Sequence, residues 1–105
     1  MKYYIYILYS SVSDRYYVGQ SYDVQTRLKD HNEGNHSHQS TKYTFKHRPW
    51  ELKASFFVSE DRGKAMKIER YIKRQKSRKF IEQLIAVHLD RDGLAQLIRV
   101  PMSRD

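Results

Sequence analysis

From Tyr3 to Tyr9 every position is apolar or aromatic, with Tyr3, Ile5, Ile7 and Tyr9 on one side and Tyr4, Tyr6 and Leu8 on the other. A strand apolar on both faces is expected to be covered on both sides. Polar residues Ser10 to Asp14 supply a turn, and Tyr16 to Gly19 then reads as the antiparallel partner in a hairpin. Gly19 closes that strand as a turn residue, where the absence of Cβ permits a close backbone approach or a positive φ. The period changes at about Asp23. Val24, Arg27, Leu28 and His31 recur at i, i+3, i+4 and i+7, the stripe of a helix capped by Ser21 or Asp23 and stopped near Gly34.

Residues 35–49 are polar and histidine-rich with neither period, which predicts a long loop. Trp50 to Val58 is a third strand, with Leu52, Ala54, Phe56 and Val58 on its apolar side. Ala65, Ile68 and Ile72 stripe a second helix from about Glu60 to Lys76, capped by Ser59. Ser77 caps a third, carrying Phe80, Ile81, Leu84, Ile85 and His88 inward. Asp90 to Gly93 ends that helix, and Leu94 to Val100 is expected as a turn or docked tail. The pattern is α+β: a small three-stranded antiparallel sheet flanked by helices in the order β-β-α-β-α-α. A chain of 105 residues holds one core. Residues 1–89 make the domain and 90–105 a tail, either part of it or loosely docked.

Composition changes this picture in two ways. Cysteine is absent, which excludes disulfides and thiolate zinc sites, and neither a signal peptide nor a membrane-length apolar run is present. A cytoplasmic protein without a membrane partner is expected. The net charge of +8 sits almost entirely between Arg62 and Lys79, where nine basic residues face one acid, Glu69. So dense a patch favours a polyanionic partner over a merely solvated helix face. Lys64, Lys67, Arg70, Lys73, Arg74 and Lys76 are its candidate nucleic-acid contacts, joined by Lys42 and Tyr43. In the loop, Thr41-Lys42-Tyr43-Thr44 offers a cation, an aromatic face and two hydroxyls to a sugar-phosphate backbone. His36 and His38 lack cysteine or carboxylate partners nearby and make a weak zinc signal.

Two residues need more than packing to explain them. Arg27 shares the inward stripe, so it either snorkels past Leu28 to solvent or points at an anion beside Tyr17. Glu69 is either the partner of Lys73 in an i,i+4 pair worth a few tenths of a kcal/mol, or a hard oxygen ligand for Mg²⁺.

Tyr4-Ile5-Tyr6, then Tyr17-Val18-Gly19, then Arg27 with His31 one turn later, then Glu69 form an ordered set. In this order and spacing the chain resembles the GIY-YIG nuclease family, and within it the short stand-alone members related to the N-terminal domain of the bacterial excinuclease C subunit. The resemblance runs over roughly residues 2–85. It departs at Tyr4, where the first motif has glycine, and at Gln20, where several active members carry lysine. No residue from Phe80 to His88 matches the late asparagine of some members.

The resemblance implies phosphodiester hydrolysis by a metal-dependent DNA endonuclease or nickase of little intrinsic sequence specificity, in a setting of DNA repair or recombination. It implies Glu69 as the ligand of one Mg²⁺ or Mn²⁺, Arg27 as the phosphate clamp, Tyr17 as general base with Tyr6 beside it, and His31 as helper. An unperturbed tyrosine titrates near about 10, so the base needs assistance from the metal, Arg27 or His31. The DNA partner would be branched, damaged or non-specific duplex, with a protein partner supplying specificity. The alternative is a catalytically weak or inactive module of the same fold that binds nucleic acid through its basic helix; binding to structured RNA rests on charge and size alone.

Overall fold

The computed structural model describes residues 1–34 and 43–103. Three antiparallel strands, β1 (Tyr3–Ser10), β2 (Arg15–Ser21) and β3 (Trp50–Ser59), form one sheet in the order β2-β1-β3. Strand β1 takes the centre because both of its faces are apolar: Ile5, Ile7, Tyr6 and Leu8 are all buried. The register pairs Tyr6 with Gly19 and Leu8 with Tyr17 on one side, and Tyr6 with Ser55 on the other. Helix α1 (Val24–Glu33) connects β2 to β3 through residues 34–49. Helices α2 (Arg62–Arg74), α3 (Arg78–Val87) and α4 (Arg91–Leu97) follow β3.

The two sheet faces bury different residues. Ile5, Ile7, Val18, Ala54, Phe56 and Val58 pack with Ala65, Ile68 and Ile72 of α2, Leu84 of α3 and Leu94 of α4 in the larger cluster. Tyr6, Leu8 and Trp50 make a smaller one, against which Tyr17, Val24, Leu28 and Leu52 pack. Alternation along β1 thus sends isoleucines to the three-helix side and Tyr6 to the α1 side. The tyrosine is aromatic core with a polar tip.

Local signals set most of the helix ends. Asp23 caps α1 by accepting from the Thr26 amide at 3.1 Å, and Gly34, at φ 75°, closes it in the left-handed conformation. Ser77 caps α3 through the Phe80 amide at 3.0 Å. The cap of α2 is Asp61 and not the expected Ser59: Asp61 accepts from the Gly63 amide, while the Ser59 hydroxyl accepts from Asp61 N–H and shapes the entry turn. Helix α2 therefore starts two residues later than the apolar pattern implies.

Residues 90–97 also differ from expectation. Helix α3 ends at Val87 with His88 as its cap, and the Asp90 carboxylate accepts from the Asp92 amide and starts α4, with Gly93 inside that helix. Leu94 and Ile98 are fully buried in the larger cluster. Arg91 donates to the carbonyls of Phe57 and Ser103, and the Ser103 amide donates to the Val58 carbonyl, which ties Ser103 to β3. Among the described residues no helix is long and apolar enough to cross a membrane.

Candidate active site

The stripe on α1 delivers His31 into the protein, where it is fully buried against Tyr6 and Tyr17. Its Nε2 shares a 3.0 Å hydrogen bond with the Tyr6 hydroxyl, and its Nδ1 shares one of 2.6 Å with Thr44 Oγ1. Thr44 is itself fully buried, and its carbonyl accepts from the Trp50 indole at 2.7 Å. Asn32, next to His31, accepts from the Trp50 amide and donates to the Trp50 carbonyl. A buried polar chain thus runs from β1 through α1 to the segment before β3, with its members satisfied by one another. Burial above all, reinforced by neighbouring Tyr17 and only partly offset by Arg27, pushes the Tyr6 hydroxyl above the ordinary tyrosine range. Tyr6 stays a neutral phenol at physiological pH.

Gly19 belongs to this arrangement through contact and not through turn geometry. Its φ is not positive; Gly34 alone among the described glycines has that conformation. A Cβ on Gly19 would instead stand 2.5 Å from both Cζ and Oη of Tyr6, its cross-strand neighbour. The glycine leaves room for the phenol ring to reach His31.

Tyr17 sits next along the same face. Its ring centroid lies 4.8 Å from that of His31, 6.2 Å from that of Trp50 and 6.3 Å from that of Tyr6. From α2, the Lys73 ammonium lies 5.4 Å above the Tyr17 ring and 2.7 Å from Glu69 Oε2. Glu69 is near enough to Tyr6 for its charge to act on that hydroxyl. Arg27 is not spread over the surface: its side chain is only 15% exposed, lies 3.5 Å from Asp30 and reaches the Tyr6 hydroxyl. It also lines a cleft with Gln20, Asp23, Asp30 and Arg62, at the edge where β2 meets the starts of α1 and α2.

The five residues Tyr6, Tyr17, Arg27, His31 and Glu69 therefore converge from β1, β2, α1 and α2. His31 nonetheless serves a different tyrosine from the one expected: its nitrogens engage Tyr6 and Thr44, and it meets Tyr17 ring to ring. Thr44, read in the sequence as a hydroxyl for DNA, is instead an internal support for His31. Its sequence signal was a hydroxyl six residues before a buried tryptophan, which says nothing about a partner thirteen residues upstream. Gln20 keeps its Oε1 buried, with no hydrogen-bond partner among the described residues.

The basic residues Lys64, Lys67, Arg70, Lys73, Arg74 and Lys76 are all exposed along α2 and its end, as is Tyr43. Lys42, and the histidines at 36 and 38, lie outside the described residues. Among the described residues no group of three or more His, Cys, Asp or Glu is placed to hold a metal ion. A tightly caged ion does not fit this donor set. A single carboxylate, Glu69, does fit Mg²⁺ or Mn²⁺, which commonly keep several waters and take one or two carboxylates beside a substrate phosphate.

Comparison with known proteins adds the following. The family model described as the GIY-YIG catalytic domain matches residues 2–82. Among solved structures, the solution NMR structure of a UPF0213 protein from Bacillus halodurans is similar over 92% of this chain and 97% of that one, at 28% sequence identity and a TM-score of 0.49. No curated protein matches the sequence significantly.

Proposed function

The chain belongs to the GIY-YIG family of nuclease-type catalytic domains, and on that premise we propose that it is a metal-dependent DNA endonuclease or nickase with little sequence preference of its own. The observation that carries this reading is the convergence of Tyr17, Arg27 and Glu69 around the buried Tyr6–His31–Thr44 chain. The framework would hold the reacting groups in place before substrate arrives, which is what phosphodiester hydrolysis chiefly asks of a protein.

In this reading Tyr17 is the general base that takes the proton from the water attacking phosphorus. The bond from phosphorus to the leaving oxygen breaks in the same displacement. Arg27 offers its planar fork to the non-bridging oxygens, and Asp30 at 3.5 Å restricts its orientation. Tyr6 does not compete for the base's role, because burial keeps it protonated. Its hydroxyl, fixed by His31, orients what lies beside Tyr17. Glu69 would hold one Mg²⁺ or Mn²⁺, whose chemistry there is Lewis-acid neutralisation of charge on the leaving oxygen. The exposed cations of α2 would position DNA by its phosphates without reading bases, and binding would weaken steeply with salt. DNA repair or recombination, in the cytoplasm and with a protein partner supplying specificity, is the setting we propose.

Incubation of the chain with supercoiled plasmid and with branched DNA tests the reading. Nicking that requires added Mg²⁺ or Mn²⁺ and stops with a chelator is the expected result. Salt-sensitive binding with no nicking at any metal concentration would instead leave a nucleic-acid-binding module of this fold.

A further inference from the structure

The cations of the basic patch are not equivalent. Lys64, Lys67, Arg70, Arg74 and Lys76 project from α2 and its end into solvent. Lys73 turns along the helix toward β2, with its ammonium 5.4 Å over the Tyr17 ring and 2.7 Å from Glu69 Oε2. Glu69 is less open than its partner, with 22% of its side chain exposed against 46% for Lys73. The carboxylate that could hold a divalent cation is thus already in contact with a monovalent one supplied by the same helix, one turn on.

We propose that Lys73 is a resident counter-ion of Glu69 that competes with the divalent cation for this carboxylate and so sets how readily the site loads. The inference rests on Glu69 being the metal-holding residue. Its physical basis is short range. An ammonium at hydrogen-bond distance from one carboxylate oxygen and a divalent ion at about 2.1 Å from the same group would be two cations within a few ångströms of each other. One must yield. Lys73 has four methylenes and three rotatable donors, so its ammonium can leave Glu69 without moving the helix, and a phosphodiester oxygen on the substrate would be its natural destination. Arginine at this position would hold the carboxylate through a planar fork and preserve the competition.

The test needs neither DNA nor turnover. Binding of Mn²⁺ to the full chain is measured by the paramagnetic resonance signal of the free ion, for wild type, Lys73→Met, Lys73→Arg, and Lys73→Met combined with Glu69→Ala. Lys73→Met leaves the carboxylate without its resident ammonium and is expected to bind Mn²⁺ roughly threefold more tightly than wild type, the scale of one modest ion pair. Lys73→Arg is expected to stay near wild type, and the double variant to lose the gain. Circular dichroism and thermal unfolding identify a misfolded variant, and the double variant separates binding at Glu69 from binding elsewhere. Equal or weaker binding by Lys73→Met, a gain that survives loss of Glu69, or no binding by any variant would overturn the proposal. Failure of the nuclease reading is a separate result, seen as absence of nicking by wild type with metal present.

Discussion

Tyr17→Phe is expected to lower DNA cleavage by about two to four orders of magnitude, the usual contribution of a positioned general base, while leaving the protein folded and bound to DNA. The substitution keeps the ring, and the ring is what the fold uses: Tyr17 packs on His31, Trp50 and Tyr6 through its face and edge. The thermal midpoint should therefore stay close to that of wild type. Tyr6→Phe is the informative contrast. It deletes the hydroxyl that meets His31 Nε2 inside the protein, so it should cost stability, on the order of 1–3 kcal/mol for a polar group left behind in the core. A Tyr17→Phe chain that still nicks at the wild-type rate would move the base elsewhere.

A comparable loss of stability is expected from Gly19→Ala. The added Cβ would stand 2.5 Å from two atoms of the Tyr6 side chain, far inside van der Waals contact. Tyr6 is buried and tied to His31, so its ring cannot swing aside freely. Overpacking of this kind costs about 1–3 kcal/mol, and in a domain of this size each kcal/mol lowers the thermal midpoint by roughly 4–8 °C. Thermal unfolding measures it. The cause can be isolated with Tyr6→Val, which removes the ring: in that background Gly19→Ala should cost much less, and an unchanged penalty would place the strain outside this pair.

Much of the architecture was legible from residue spacing because it depends on local rules. The doubly apolar run of β1 predicts a strand covered on both faces. The stripes on α1 and α2 identify Leu28, His31, Ala65, Ile68 and Ile72 as inward positions, and Asp23, Gly34 and Ser77 mark helix ends. At α2 spacing was insufficient: Ser59 was the expected cap, and the role went to Asp61, whose carboxylate reaches the Gly63 amide. Helix α4 escaped notice because it is short, carries a glycine and buries only Leu94 from within its span. Its place is fixed by Arg91 and by Ile98 beyond it, contacts with strand and core that no local period records.

The site divides in the same way. Motif order names the candidate residues that the fold brings together, but not their connections. The hydrogen bonds from His31 to Tyr6 and to Thr44 join positions 25 and 13 residues apart, and only the packing of α1 on the sheet brings them together. The contact between Gly19 and Tyr6 likewise follows from cross-strand register, which a hairpin pattern alone does not specify.

The most direct test of the central claim compares nicking of supercoiled plasmid by wild type and by Glu69→Ala, with Mg²⁺ or Mn²⁺ present and DNA binding measured alongside. Glu69 is a half-buried residue at the edge of the α2 stripe whose loss removes one ion pair, so the variant should fold and bind DNA as wild type does. The account predicts metal-dependent nicking by wild type and none by the variant. Nicking that persists undiminished in Glu69→Ala would contradict it.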